Sequence, residues 1–133
     1  NAPQTLQDDL IAVGKAHGRS FSPDPRPEAG HFFRSDHFPF AKRGVPAISY
    51  GSGEDLVVGG EAAGKAWGEA YTATKYHQPA DEFGPDWNSD GIAADGAILY
   101  DLGRQLANSR TWPTWKAGSE FKATRDATAS QRK

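Results

Sequence analysis

Two short runs hold most of the reactive side-chain types in this chain. The first, His31 to Pro46, reads HFFRSDHFPFAKRGVP; it sets Arg34, Ser35, Asp36 and His37 side by side, then returns through Gly44 and Pro46 to the apolar segment Ala47–Tyr50. The second is Tyr76-His77-Gln78-Pro79-Ala80-Asp81. Charged and imidazole groups at the mouth of a buried strand are costly to desolvate unless they serve a site. A neutral imidazole such as that of His77 suits zinc, provided its second ring nitrogen finds a carboxylate or a backbone carbonyl. By residue type alone, a single histidine after a tyrosine is an ordinary surface or core histidine, and Asp36 is an N-cap for the turn over residues 38–43. Adjacent Asp36 and His37 point apart along an extended backbone, so His37 reads as a structural hydrogen-bond partner. Arg34 can orient a carboxylate bidentately. Phe38 and Phe40 either wall a pocket or join the core, and Asp81 either orients His77 or caps the next turn. His17 and His31 have no evident partner. A zinc site drawn from His31, Asp36, His37 and His77 together would follow no compact ligand spacing.

These groups need elements to position them, and the composition limits what those can be. The chain has 133 residues, the length of one ordinary domain, but only 37% are hydrophobic, with 15 glycines and 9 prolines. The core it can build is thin. A net charge of -2, from 15 basic and 17 acidic residues, leaves no electrostatic footprint for nucleic acid or an anionic membrane. The absence of cysteine excludes disulfides, thiolate metal sites and cysteine nucleophiles. No apolar run approaches the length of a membrane span. The chain opens on Asn1 with no signal-like segment, so it is expected to be part of a longer product.

Along the chain, residues 5–16 are predicted as an amphipathic helix, with Leu6, Leu10 and Val13 in one stripe and Ile11 beside it. Thr5 followed by Asp8 forms a capping box with the shorter acid, and Gly18 is the stop. Pro23, Pro25 and Pro27 make residues 20–30 an extended loop. A short helix is predicted over residues 38–43, with Gly44 as a left-handed exit. Ala47–Tyr50 is the one clear strand, apolar enough for burial on both faces. Residues 51–64 read as loop, residues 66–74 as helix, and residues 78–88 as a stretch broken by Pro79 and Pro85. The pattern clears again over residues 89–108, where Ile92, Leu99, Leu102 and Leu106 form a helical face with Ile98 adjoining it and Asp90 near the positive end of the dipole. Trp112 and Trp115 flank Pro113, and a polar, solvated tail follows from about residue 116 to 133. Two or three helices and one or two strands amount to an α/β chain that is incomplete as a domain, since a parallel sheet needs several strands covered on both faces. Such a chain should expose apolar surface, as on Ala47–Tyr50 and the leucine face of residues 89–108, and should associate through it.

The segments Asp24-Pro25-Arg26-Pro27-Glu28-Ala29-Gly30, Phe33-Arg34-Ser35-Asp36-His37-Phe38-Pro39-Phe40, Gly44-Val45-Pro46-Ala47, Tyr76-His77-Gln78-Pro79-Ala80-Asp81-Glu82 and Trp115-Lys116-Ala117-Gly118-Ser119-Glu120-Phe121 occur in this order. Together they resemble the co-catalytic two-zinc aminopeptidases, the aminopeptidase Y and bacterial leucyl aminopeptidase type that carries a protease-associated domain. The resemblance implies an αβα sandwich of which residues 1–133 are the carboxy-terminal portion. In that family two zinc ions are held by two His, a bridging Asp, another Asp and a Glu, and a second Glu is general base on a metal-bridging water.

The resemblance places one of these ligands here, His77; the others and the base fall in an amino-terminal half outside this sequence. It puts Tyr76 where a phenol faces the scissile carbonyl and can donate to the developing oxyanion. It puts Asp36 near the active-site water and the substrate's α-ammonium, and Arg34, Phe38 and Phe40 in the substrate-binding lining. The implied cofactor is zinc, two ions in the intact enzyme, with weak or no binding by this chain alone. The implied partners are peptide substrates and either the missing amino-terminal half or a second copy of the chain; the implied location is secreted or periplasmic. The function so expected is the carboxy-terminal part of a zinc aminopeptidase, inactive by itself. The alternatives are a glutaminyl-cyclase-like acyltransferase, with the same fold and one zinc, and a non-catalytic fragment serving as an interaction module.

Overall fold

The computed structural model describes residues 5–132, whose regular secondary structure is helical. Among the described residues five α-helices run in order: α1 Leu6–Ala16, α2 Phe38–Lys42, α3 Gly60–Thr74, α4 Asp90–Asn108 and α5 Lys122–Ala127. Short 3-10 turns cover Pro27–Ala29, His31–Arg34 and Ala129–Gln131. The chain divides into two compact units, one formed by Asn1–Tyr50 with Gly96–Lys133 and the other by Gly51–Asp95.

The expected α/β fold, an αβα sandwich with a few strands, is not what forms: no strand or sheet occurs among the described residues. The only ladder-type pairs among the described residues are two isolated bridges, Thr5 with Thr114 and Leu56 with Gly60. The physical reason lies in what a strand is. Its N–H and C=O groups must be taken up by a neighbouring strand, and Ala47–Tyr50 has none among the described residues. Its apolar character is used sideways instead, through Ile48, which packs against the helical core.

α1 forms as its sequence dictates. The Thr5 hydroxyl accepts from the Asp8 amide at 3.2 Å while the Asp8 carboxylate accepts from the Thr5 amide at 3.3 Å, so the capping box is closed from both sides. Gly18, at φ 74°, ends the turn that follows. The core of the first unit is Val13 from α1 with Ile98 and Leu102 from α4, flanked by Leu10, Ile48 and Leu106. The buried stripe of α4 is therefore Ile98, Leu102 and Leu106, four apart, whereas the predicted face members Ile92 and Leu99 are exposed. Between the two readings the face is rotated by about one residue, because helical spacing fits both and contact with Val13 selects one.

α3 begins six residues before the predicted start. Gly59 and Gly60 both take positive φ and lead into it, and a Cβ on buried Gly64 would overlap the Glu54 carbonyl. Glycines that look like loop by composition here admit a close backbone approach. α2 ends as predicted: Gly44 adopts φ 81°, and a Cβ there would lie 2.7 Å from the Arg125 amide nitrogen. The stretch predicted as solvated tail thus contains α5, packed backbone to backbone against the turn after α2. Arg125 also donates from its guanidinium to the Pro113 carbonyl at 2.9 Å.

Candidate functional site

The residues singled out in the sequence fall in both units. Arg34, Asp36, His37, Phe38 and Phe40 belong to the first, and Tyr76, His77 and Asp81 to the second.

In the first unit, the polar run opens onto a knot of rings. Phe32 lies 4.5 Å from the His37 ring, 6.3 Å from Trp115 and 5.9 Å from Phe121, centroid to centroid. Trp115 meets Phe121 at 5.0 Å and donates from Nε1 to the Gly44 carbonyl at 3.1 Å. Phe38 packs against Phe33 and Phe121, with the Lys42 ammonium 5.0 Å above its ring. Phe38 is thereby a packing residue, while Phe40 is 63% exposed.

Asp36 does not cap α2. The residue before that helix is His37, no side chain caps it, and the Ser35 and His37 carbonyls accept from the first turn instead. Nor is His37 the hydrogen-bond partner expected of it: its Nε2 is buried with no partner among the described residues. Arg34 and Asp36 are exposed. His17, by contrast, does have a partner, the Asp101 carboxylate at 2.8 Å. The Phe32, Trp115 and Phe121 cluster escaped the sequence reading because its members are far apart in the chain and lack a shared period.

The second unit holds the more ordered arrangement. α3 ends at Thr74, and two consecutive reverse turns follow. The Gln78 amide donates to the Lys75 carbonyl at 2.9 Å, and the Asp81 amide to the Gln78 carbonyl at 3.0 Å. Pro79 is second in the latter turn, where its fixed φ is favourable. His77 is third in the former and has φ 57°, the one non-glycine residue with positive φ among the described residues. A left-handed backbone costs an L-residue about 1–2 kcal/mol, though histidine tolerates it better than most. Such outliers persist where their surroundings hold them in place.

Those surroundings are aromatic. The His77 ring stacks on Tyr76 with centroids 3.9 Å apart and planes within 20°. Tyr76 tilts against Tyr71 at 6.2 Å, and Tyr71 stacks on Trp67, one turn earlier on α3, at 5.4 Å and 2°. The Tyr71 hydroxyl donates to the Asp81 carboxylate at 2.8 Å, and that bond raises the Tyr71 pKa above the usual tyrosine range. Asp81 thus reaches back to Tyr71. Trp67 and Tyr71 were missed in the sequence, although two aromatics four apart on a helix are a legible signal for one face.

Whether these residues can form a metal centre follows from the donor set. No three His, Cys, Asp or Glu side chains converge in a metal-holding group among the described residues. Within the first unit, His31, Asp36 and His37 form no such group. A single imidazole does not fit a zinc centre, which takes at least three protein ligands.

The chain nevertheless has a clear affiliation. The family model for Peptidase family M28 matches residues 1–100. The chain belongs to that family, whose members are metallopeptidases that generally bind zinc. No curated protein and no solved structure matches it.

Proposed function

We propose that this chain forms one side of the active site of an aminopeptidase that removes amino-terminal residues from peptides, and that His77 is its contribution to the metal. The observation that supports this most is His77 itself. An imidazole is held in a left-handed turn, against its backbone preference, by stacking on a tyrosine in the chain of a metallopeptidase family. Tyr76 is 51% exposed, so its hydroxyl can reach a substrate. In peptide hydrolysis water adds to the scissile carbonyl carbon, the C–N bond breaks and a proton passes to the leaving amine. Tyr76 donates its O–H to the carbonyl oxygen as negative charge develops there. For Asp36 and Arg34 of the first unit the reading rests on the family resemblance alone: Asp36 to meet a substrate α-ammonium and Arg34 to orient a carboxylate, with Phe40 as an exposed apolar contact.

The remaining ligands and the base come either from an amino-terminal half of the catalytic domain or from a second copy of this chain. Val57, Val58 and Phe83 are almost wholly exposed, which is surface available for such an association.

The test is hydrolysis of aminoacyl-4-nitroanilides with zinc supplied. This chain alone is expected to bind zinc weakly and release no nitroaniline above background. An assembly that adds the missing carboxylate ligands is expected to release it, with activity falling by at least about a hundredfold on His77→Ala and by about 10²–10³ on Tyr76→Phe. An assembly that keeps full activity with His77→Ala would remove this chain from the metal centre.

A further inference from the structure

The reactive turn is tied to α3 by one residue that the function above does not use. Tyr71 touches the turn in three ways. Its carbonyl accepts the Lys75 amide at 2.8 Å and the Tyr76 amide at 2.9 Å, which closes the end of the helix. Its ring leans on Tyr76 at 6.2 Å and 51°. Its hydroxyl donates to Asp81 at 2.8 Å, beyond His77 in the chain. The segment from Tyr76 to Asp81 is therefore fastened at both ends to a single residue of α3, by its carbonyl and ring at Tyr76 and by its hydroxyl at Asp81, with His77 between the two fastenings. Behind Tyr71, Trp67 lies face to face with the phenol ring at 5.4 Å and backs it from the preceding turn of the helix.

The geometry points to Tyr71 as a positioning residue: through Tyr76 on one side and Asp81 on the other, it sets the orientation of the His77 imidazole. This deepens the proposed function and rests on His77 being the working group there.

The physical case is one of entropy and strain. An exposed histidine in a left-handed turn would otherwise relax toward the broad β and α regions and take its ring off the tyrosine. Two consecutive turns do not prevent this alone, since their hydrogen bonds are exposed to competition from water. Tying the far end of the second turn to a half-buried phenol shortens the free loop to the few residues that carry His77 and Tyr76. The carboxylate makes this a charge-assisted bond, stronger than one between neutral groups. The raised Tyr71 pKa is the same bond seen from the phenol side. Trp67 adds an apolar face that limits where the ring can go.

The experiment uses the full chain, labelled on histidine, and the His77 ring proton resonances in two-dimensional NMR. A ring 3.9 Å above the Tyr76 face carries an upfield ring-current shift. Tyr71→Phe keeps the ring and deletes the O–H; it is expected to leave the helical circular dichroism unchanged and to lose most of that shift. Asp81→Ala is expected to give the same loss from the other side of the bond. Asp81→Asn, which still offers an oxygen to the phenol, is expected to restore most of it. A merely structural tyrosine would change the unfolding midpoint and leave the His77 shift in place.

The proposal is overturned if Tyr71→Phe and Asp81→Ala both fold and both keep the wild-type His77 shift. It is equally overturned if Asp81→Asn behaves as Asp81→Ala. The readout needs neither zinc nor peptide. Loss of the shift with no hydrolysis in any assembly would therefore discard the peptidase reading and keep Tyr71 as the residue that orients His77.

Discussion

His77 is where the physics of a single residue says most. Its φ of 57° is a backbone state in which side chains beyond glycine pay a penalty, and stacking on Tyr76 offsets it. The two contributions have similar size, about 1–2 kcal/mol for the conformation and about 0.5–1.5 kcal/mol for the ring pair. His77→Gly removes both, so its stability is expected to stay within about 0.5–1 kcal/mol of the parent chain. His77→Ile keeps the strain, adds a β-branched carbon and loses the stack, and is expected to cost about 2 kcal/mol. Urea unfolding followed by circular dichroism separates the two variants. Equal losses would show that the turn does not hold the left-handed state in solution. The residue and its motif were legible from sequence. The strain was not, because a positive φ at a non-glycine residue depends on the turns and the ring contacts that together hold it.

At the scale of elements, the helices divide by how locally they are specified. α1 was legible almost to the residue, since its stripe, its capping box and Gly18 all lie within one short segment. The Asp8 carboxyl is held below the usual carboxylate range, chiefly by its hydrogen bond with the Thr5 hydroxyl, at 2.5 Å. A depressed folded-state value stabilises the fold fully above the unfolded carboxylate value and loses that contribution as pH falls through the folded one. In an NMR titration Asp8 is therefore expected to protonate below the usual carboxylate range, and Thr5→Ala to bring it back toward that range. The acid side of the stability profile should shrink in parallel, and an unchanged Asp8 titration in Thr5→Ala would break the link. α3 and α5 were less legible. The first starts among glycines that only a close approach by the Glu54 backbone explains, and the second lies in a polar stretch whose partner is the turn at Gly44. α2 was legible in extent but not in its cap, which backbone carbonyls supply where Asp36 was expected to.

In the molecule as a whole, burial is concentrated in very few side chains. Among the described residues Val13, Ala41, Ile98 and Leu102 are the buried hydrophobic ones, while Phe40, Trp67, Phe83 and Tyr100 stay largely exposed. With so small a core, each member matters. Leu102→Ala is expected to cost about 2–5 kcal/mol and to abolish cooperative unfolding of the unit that contains it. Leu99→Ala, at a position 43% exposed, is expected to cost under about 1 kcal/mol. Denaturant unfolding of the two variants checks the assignment of the buried stripe, because the sequence alone ranked Leu99 and Leu102 together.

By itself the sequence determined the local features: the α1 cap, the exit at Gly44, the break at Pro79, and the motifs that mark the peptidase family. These depend on neighbours in the chain, so residue types and spacing carry them. Only the tertiary structure decided that Ala47–Tyr50 forms no strand, that α4 buries Ile98 in place of Leu99, that His37 sits in an aromatic knot, and that Tyr71 reaches Asp81. Each of these rests on a group distant in sequence or on the absence of a pairing edge, and no local pattern records either. The run from Arg34 to His37 drew attention by its crowding, but the better-ordered chemistry lies at the turn around His77, where one helix residue and two reverse turns hold an imidazole in place.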